Sequence, residues 1–254
     1  MLAAFLRAAI CGRYHTPINY WNTAFHHGQW LQTTISRPEM IQFGGKFLPV
    51  HFVGGLVEGV APAGGWNVGY KAGVGNGRGA VISRAGDAGD SNDNLSFLAN
   101  VSSKPDRIYG LETGAAIYTD TIVPAVGGQV GERIVSGYVA YSKETPEVIA
   151  EYAGVRHEQD GVATPFWNHA YYVQLAYRLP SSARQWKPYY RFEHIDIAKG
   201  DVVFSTVLPL DGSTVGIRYD ASTFVAIKAE YRNWTRGPDS PRNKGGFFQL
   251  AFTF

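Results

Sequence analysis

The stretch Tyr171-Tyr172-Val173-Gln174-Leu175-Ala176-Tyr177-Arg178-Leu179 decides the fold of this chain. Its odd-numbered residues are all apolar or aromatic, whereas Gln174 and Arg178 lie among the even-numbered ones. Because successive side chains of an extended strand point to opposite faces, this alternation predicts a β-strand with one apolar and one more polar face. The same period of two recurs from Leu48 to the end of the sequence, so we expect an all-β protein.

Eleven segments with this period are predicted to be strands, and the connections between them alternate between short and long. The predicted strands are 48–60, 64–76, 93–104, 107–121, 132–144, 147–158, 168–179, 187–199, 212–221, 223–235 and 245–254. A soluble sandwich has no reason to keep every second connection short. An up-and-down antiparallel barrel that crosses a membrane has short turns on one side and longer loops on the other. The loop pattern therefore predicts a transmembrane β-barrel.

Composition excludes several other classes of protein. The chain has 254 residues, of which 45% are hydrophobic and 17% charged, with a formal net charge of +2. This hydrophobic content argues against disorder, and the near-neutral charge gives no electrostatic reason to expect a nucleic-acid partner. Cys11 is the only cysteine, so a disulfide framework is excluded. No run of eighteen apolar residues is present, which excludes a transmembrane helix.

The two faces of the predicted strands differ in a way that suits a membrane barrel. The apolar face carries aromatic residues at strand ends, which is typical of the girdles at the two membrane interfaces. Charges on the opposite face would each need a matched partner in a dry core, so we expect a water-filled interior. The residues predicted to line this pore are Lys71, Glu112, Glu151, Arg178, Arg191, Glu193, Arg218, Asp220, Lys228, Glu230 and Arg232. They could form a basic strip that biases ion passage, or pair across the wall and hold it together.

The C-terminal sequence Phe248-Gln249-Leu250-Ala251-Phe252-Thr253-Phe254 places large apolar residues at alternate positions and ends on Phe. With this ending and the loop pattern, residues 48–254 resemble bacterial outer-membrane β-barrel proteins of the porin kind. The resemblance implies that Phe248, Leu250, Phe252 and Phe254 form the signal that the barrel-insertion machinery reads. Gln249 departs from the family, which often has Gly there. The resemblance also implies contact with the lipid of a Gram-negative outer membrane, and it allows a homotrimer.

The N-terminal part completes a single predicted domain over residues 1–254. The resemblance implies a C-terminus on the periplasmic side, which places residues 13–47 outside the barrel or inside it. In porins a long loop often folds into the barrel, so the resemblance also leads us to expect that residues 13–47 fold into the lumen. Residues 1–12 could supply a partial or first strand, which would raise the strand number to an even twelve. They lack the features of a secretory signal. Together with the even-strand rule, this favours a larger native barrel of about sixteen strands.

The remaining candidate sites for chemistry are weak. His15, His26, His27 and Glu39 lack the spacing of a metal site, and the acidic cluster formed by Asp87, Asp90, Asn92 and Asp93 lacks the EF-hand pattern. Residues 73–77 resemble a glycine-rich phosphate loop, but no helix signal follows them. We therefore predict no metal and no cofactor.

The function predicted from sequence is a non-enzymatic, porin-like channel through which small hydrophilic solutes or ions diffuse passively. Two alternatives stay open at this point. One is an outer-membrane enzyme of the lipase or esterase type, using a serine such as Ser136, Ser142 or Ser213 with a histidine. The other is a closed barrel with a structural or adhesive role.

Overall fold

Twelve β-strands form one antiparallel sheet in which every strand pairs with its neighbours in sequence. The computed structural model describes residues 5–25, 28, 30–43, 46–80, 82, 92–237 and 240–253. The strands are β1 (Phe5–His15), β2 (His51–Ala61), β3 (Val68–Asn76), β4 (Leu95–Ser103), β5 (Leu111–Ile122), β6 (Val130–Tyr141), β7 (Glu147–Gln159), β8 (Phe166–Ala176), β9 (Trp186–Asp196), β10 (Leu210–Asp220), β11 (Val225–Thr235) and β12 (Asn243–Phe252). The prediction of an all-β, up-and-down antiparallel architecture is confirmed.

The eleven strands predicted from the alternation are all present, with ends displaced by a few residues. The additional strand is β1, which pairs with β2 from Phe5 opposite Val60 to His15 opposite His51. This strand extends beyond the predicted residues 1–12, because its aromatic and polar C-terminal half continues the ladder. The chain therefore contributes twelve strands, the larger of the two predicted numbers.

The lengths of the connections are less regular than the sequence predicted. The connection between β8 and β9, predicted as a short one over residues 180–186, spans residues 177–185. It contains a 3₁₀ helix, Ser181–Ala183, and is longer than the connection 160–165 on the opposite side, which was predicted to be a long one. The reason is that the β7–β8 ladder runs on to His157 opposite Phe166, which shortens the loop beyond it. The prediction of strict alternation was wrong. The two long connections, 77–94 and 197–209, nevertheless lie on the same side of the sheet.

One face of the sheet exposes a continuous apolar band, and we call it the outer face. Its exposed members include Val57, Val74, Phe97, Ile117, Val135, Val139, Val173, Leu175, Val215, Phe248 and Leu250. Towards the short turns the band ends in aromatic residues such as Tyr177 and Trp186, and the Trp186 ring lies 4.5 Å from that of Tyr219. An apolar band edged by aromatic side chains is the pattern of a surface that meets lipid.

The opposite face, here the inner face, packs against residues 16–50, which we call the inner segment. This segment contains one short helix, α1 (Tyr20–Ala24), and a 3₁₀ turn, Glu39–Ile41. Its most buried apolar side chains are Ile18, Trp21, Met40, Ile41, Phe47 and Leu48. They form a core with inner-face residues of the sheet, including Tyr118, Ile134, Ile149, Val155, Tyr172 and Ile195. Val203, Phe204 and Val207 of the connection 197–209 join the same core.

This core departs from the expectation of an interior filled by water alone. The strands β6–β9 carry apolar as well as charged residues on the inner face, and in the described structure the inner segment covers both kinds. At the two ends of the sheet, β1 and β12 keep mostly exposed side chains on both faces. Within the described residues no ladder joins β12 to β1. No helix in the described part of the chain is long and apolar enough to span a membrane.

Candidate functional site

The two ends of the inner segment are tied together by one buried side chain. The Asn22 amide nitrogen donates hydrogen bonds to the carbonyl oxygens of Thr16, at 3.1 Å, and Val50, at 2.7 Å. Asn22 stands in α1 because the Asn19 side chain caps that helix, accepting the Asn22 backbone N–H at 2.8 Å. Asn22 therefore joins the point where the chain leaves β1 to the point where it enters β2.

A first anchor fixes the start of the inner segment to β7. The Glu151 carboxylate, only 3% exposed, accepts the backbone N–H groups of Tyr20 at 3.0 Å and Trp21 at 2.8 Å. It also accepts the Tyr172 hydroxyl from the neighbouring strand β8, at 2.5 Å. Backbone N–H groups at the start of α1 carry partial positive charge, so a carboxylate is a suitable partner for them.

A second anchor fixes the middle of the segment to β9 and β11. Glu230 accepts the backbone N–H of Ile35 at 2.5 Å, while the Lys228 ammonium donates to the Thr34 carbonyl at 3.1 Å. The Arg191 guanidinium, which is fully buried, donates to the Ser36 carbonyl at 2.9 Å. Charged side chains of the inner face thus form hydrogen bonds with the peptide groups of the segment rather than with its charged side chains.

A third anchor repeats the same principle nearer to the short turns. Arg218 donates to the carbonyl oxygens of Trp30, at 2.6 Å, and Gln32, at 3.0 Å. Glu147 accepts the Thr33 hydroxyl at 2.9 Å, and Glu193 accepts the Glu39 backbone N–H farther along the segment. Hydrogen bonds to charged groups contribute about 1.5–3 kcal/mol each, so the three anchors together hold the segment firmly.

The end of the segment is held by a cluster of buried polar side chains near the long loops. Arg78 donates to the Glu132 carboxylate at 2.9 Å and to the Phe47 carbonyl at 3.3 Å. The His157 ring bridges Glu132, at 3.0 Å, and Asp201, at 2.6 Å. Burial alone would raise the pKa of Asp201, but the hydrogen bond from His157 outweighs it and leaves that pKa below its usual value. The cluster joins the inner segment to the connection 197–209.

All eleven residues predicted to line a pore lie on the inner face or, like Arg178, directly beside it, and many are paired with each other. Three pairs lie two residues apart on one strand: Arg191 with Glu193 at 2.8 Å, Arg218 with Asp220 at 2.7 Å, and Arg232 with Glu230 at 2.8 Å. Arg178 reaches Asp220 at 2.6 Å. Across neighbouring strands, Lys71 pairs with Glu58 at 3.0 Å. Of the two sequence alternatives, these contacts favour pairing over a basic strip.

The predicted residues nevertheless divide into two groups by their surroundings. Glu151, Arg191, Glu193, Arg218, Lys228 and Glu230 are buried under the inner segment. Lys71, Glu112, Arg178, Asp220 and Arg232 are partly exposed and border open clefts. That the second group lines a conducting pore stays a prediction.

Sequence reasoning missed several residues that hold the segment. Glu147 and Lys187 form an ion pair at 2.8 Å beneath the segment, and Arg78, Glu132 and His157 build the buried cluster. Glu147 could have been found, because it lies four residues before Glu151 on the same face of β7. The alternation along β6 likewise places Glu132 on the inner face. Arg78, in contrast, lies in a loop and gives no periodic signal.

Clefts border the inner segment in three places, of which one lies near the short turns beside Arg178 and Asp220. Of the other two, the first has a volume of about 620 Å³ and lies between Tyr20 of the segment and strands β1–β6, where Glu58, Lys71 and Glu112 line it. The second has a volume of about 990 Å³ and lies between the segment and β12. Its lining residues are Gly28, Trp30, Leu31, Gln32, Ile35, Ser36, Arg37, Gln42, Phe43, Arg232 and residues 249–253. Both clefts therefore mix charged, polar and aromatic groups, as a water-filled passage requires.

The second cleft carries more positive than negative charge. Arg37 and Arg232 both line it, whereas its described lining includes no carboxylate. The Arg37 guanidinium lies over the Phe43 ring at 4.2 Å, and that of Arg232 lies over Phe247 at 3.9 Å. Burial lowers the pKa of Arg37 to about 10, which leaves it cationic at neutral pH. Arg232 is partly neutralised by Glu230 behind it.

The other candidate sites show no arrangement for catalysis. No group of three or more His, Cys, Asp or Glu side chains within the described ranges could hold a metal ion. His26, His27, Asp87 and Asp90 lie outside the described residues. Residues 73–76 continue strand β3 instead of forming a phosphate loop.

A serine and a histidine lie on neighbouring strands of the outer face, but they do not form a catalytic pair. His194 contacts Asp211 at 2.7 Å, and Ser213 follows two residues later on the same face of β10. The Ser213 hydroxyl, however, is hydrogen-bonded to the Tyr190 hydroxyl at 3.0 Å. Its neighbour His194 therefore uses one ring nitrogen for a carboxylate, while the serine uses its hydroxyl elsewhere.

The side chains of the C-terminal signal point outwards from the end of the sheet. Phe248, Leu250 and Phe252 are 73%, 57% and 64% exposed, while Phe254 lies outside the described residues. β12 pairs with β11 along its length, from Val225 opposite Phe252 to Trp234 opposite Asn243. Phe248, Leu250 and Phe252 are thus exposed on one face of β12, and their role as an insertion signal stays a prediction.

Comparison with known proteins identifies the fold. Neither a protein family model nor a curated protein sequence matches the chain. An anion-selective porin from Comamonas acidovorans matches over 96% of this chain and 69% of its own length, with a TM-score of 0.63 and 11% identity. A loop-deletion mutant of OmpT, an outer membrane protein of Vibrio cholerae, matches over 96% of this chain and 75% of its own, with a TM-score of 0.58 and 14% identity. The chain is therefore built on the fold of the bacterial outer-membrane porins.

Proposed function

We propose that this protein is a channel of the bacterial outer membrane through which small hydrophilic solutes or ions diffuse passively. The observation that carries the proposal is the inner segment, which buried charged side chains of the sheet hold against the inner face. A segment held by at least six charged wall residues is a rigid obstacle rather than a loose loop. It leaves clefts of about 620 and 990 Å³ beside it, and in this proposal water and small solutes pass through them.

The inner segment sets the width of the passage in this proposal. It corresponds to the long loop predicted over residues 13–47. Tyr20 borders the first cleft and Trp30 the second, so each cleft has an aromatic side chain of the segment at its edge. Polar groups on the facing wall hydrate a solute as it passes, and no cofactor or metal is required.

The charges of the clefts give a weak preference between ions. In the first cleft, Lys71 is paired with Glu58, and Lys104 with Glu112 at 3.0 Å, so that Arg7 remains as one excess positive charge in its lining. In the second cleft, Arg37 and Arg232 favour anions. The porin from Comamonas acidovorans is anion-selective, and a milder preference of the same sign is expected here.

The proposed position in the outer membrane also implies contacts with lipid, with the insertion machinery and with further copies of the chain. The apolar band of the outer face would contact outer-membrane lipid, and the end of β12 would be read by the barrel-insertion machinery. A homotrimer is compatible with an exposed apolar outer face. The formal net charge of only +2 gives no electrostatic reason to expect a nucleic-acid partner.

A hydrolase is the second candidate, and one contact favours it. The Asp211–His194 pair with Ser213 nearby contains the residue types of a catalytic triad on the face that meets lipid. The Ser213 hydroxyl would have to leave Tyr190 and turn towards His194 for catalysis. A closed structural or adhesive barrel is the third candidate, and the open clefts argue against it.

Conductance of the purified, folded protein in a planar lipid bilayer tests the proposal. Discrete, ohmic channel events that persist in the Ser213→Ala variant are expected. A folded barrel that gives no events would overturn the channel proposal. Hydrolysis of a phospholipid or ester that Ser213→Ala abolishes would instead support the hydrolase.

A further inference from the structure

Two arginines stand side by side on the outer face near the long loops. Arg133 of β6 lies directly opposite Arg156 of β7 in the antiparallel register. Directly opposed residues of an antiparallel pair have Cβ atoms about 4.5–5.5 Å apart, and like charges at such positions are destabilising. Arg133 is exposed, and within the described structure it takes part in no hydrogen bond or ion pair. This juxtaposition of cations needs an explanation.

The surroundings of the pair are built to hold an anion. Arg156 is fixed by an ion pair with Glu158 and by the Trp167 ring, which lies 5.6 Å from its guanidinium carbon. Glu158 offsets one of the two positive charges and leaves the other. On the opposite side, Thr119 of β5 lies directly opposite Arg133 and adds a hydroxyl to the row. Two planar guanidinium groups beside a hydroxyl match the oxygens of a phosphate group.

The depth of the pair identifies the source of that phosphate. The next outer-face residues towards the short turns, Val135 and Ile117, are 52% and 43% exposed and belong to the apolar band. Two residues along a strand correspond to about 7 Å, so the arginines stand just beyond the hydrocarbon. Trp167, which is 52% exposed, lies in the same row, and tryptophan favours this boundary. Lipid headgroups occupy this depth in a membrane.

We propose that Arg133 and Arg156, with Thr119 beside them, bind the phosphate group of a membrane lipid whose acyl chains lie along Val135 and Ile117. The inference rests on the proposed membrane position of the sheet but not on conduction through it. The bound phosphate would relieve the repulsion between the two cations and fix one lipid against the outer face. The site would therefore lie on the outer face, away from the proposed solute pathway along the inner face.

Titration of the folded protein in neutral detergent micelles tests this inference. The probes are a phosphorylated glycolipid of the lipid A type, its dephosphorylated form and inorganic phosphate. The wild type is expected to bind the phosphorylated glycolipid about tenfold more tightly than either of the other two. Affinity that falls as salt rises is expected as well, because the contact is between charges. Equal affinity for both glycolipids, or for inorganic phosphate, would overturn the inference.

Three variants separate binding from folding. Arg133→Gln with Arg156→Gln should lose about tenfold in affinity for the phosphorylated glycolipid. Arg133→Glu should lose as much and yet fold at least as well, because it creates an opposite-charge pair with Arg156. Arg13→Gln is the matched control: Arg13 lies on the outer face of β1 near the same end, opposite Val53. Unchanged affinity in Arg133→Glu, or an equal loss in Arg13→Gln, would contradict the site. Conductance should be unchanged in all of them, so a failure here is distinct from a failure of the channel proposal.

Discussion

Removal of the Glu151 carboxylate should release the start of the inner segment while leaving the sheet intact. In Glu151→Ala, the backbone N–H groups of Tyr20 and Trp21 and the hydroxyl of Tyr172 all lose their acceptor. A buried donor without a partner costs about 1–3 kcal/mol, which gives about 3–9 kcal/mol for three donors. Tyr20 borders a cleft, so water can satisfy part of this, and the lower end of the range applies. About 3 kcal/mol corresponds to a change of roughly a hundredfold in the equilibrium between attached and detached segment.

The assay is single-channel conductance in a planar bilayer. Detachment of residues near Tyr20 widens the first cleft, so Glu151→Ala should show larger and noisier conductance than the wild type. Glu151→Gln keeps a carbonyl oxygen as acceptor and should lie between the two. Asp120→Ala is the matched control, because it also removes a buried inner-face carboxylate with three hydrogen-bond donors. Those donors are the Arg78 and Thr121 backbone N–H groups and the Tyr118 hydroxyl rather than groups of the inner segment, and Asp120 lines neither cleft. Identical conductance in Glu151→Ala and the wild type would refute the role of this anchor.

Three further results are expected. Lys71→Glu combined with Lys104→Glu makes the first cleft acidic, so the reversal potential in a salt gradient should shift towards cation preference. Arg107→Glu, outside that cleft, should shift the reversal potential little. No shift in the double variant would mean that ions bypass this cleft. Phe252→Ser should lower the yield of heat-modifiable, folded protein in an outer membrane more than Phe97→Ser does. Phe97 is the control because the two side chains are similarly exposed, at 64% for Phe252 and 58% for Phe97. Equal yields would contradict an insertion signal. The pKa of Asp201 lies below its usual value in the folded protein. Its stabilising contact with His157 is therefore complete above about pH 4 and is lost as pH falls through the lowered pKa. Limited proteolysis of the connection 197–209 should increase only in strong acid for the wild type, but already at neutral pH in Asp201→Asn.

The strand pattern could be predicted from sequence because it is a local property. Alternation along residues 171–179 assigned Tyr171 and Val173 to the outer face and Gln174 to the inner face, and the structure has them there. A period of two needs only a few neighbouring residues to be visible. The twelfth strand was less certain, since the apolar run in residues 1–12 is interrupted by Arg7.

The partners of the wall charges could not be predicted, because they are not local. Glu230 accepts the backbone of Ile35, which lies 195 residues earlier, and a peptide N–H is the same for every residue type. Only the Ser36 hydroxyl, which donates to Glu230 at 3.2 Å, adds a side-chain contact, and a serine at one position in the sequence does not single out its partner. The apolar core was hidden for a related reason. Ile134, Ile149 and Val155 belong to the inner face, but only the folded position of the inner segment shows that they are covered rather than wet.

The charged side chains of the wall use backbone N–H and C=O groups as hydrogen-bond partners, and this has a consequence for how the sequence of such a protein can change in evolution. The anchors for residues 30–39 recognise mainly main-chain atoms, which substitution leaves in place. Side chains of that stretch that face the clefts, such as Leu31 and Ile35, are therefore open to exchange without loss of attachment. Permeability could drift from one solute class to another through single substitutions, while the scaffold that carries them stays constant. A library of variants at these positions should yield folded proteins with differing permeability far more often than a library at Glu151 or Arg191.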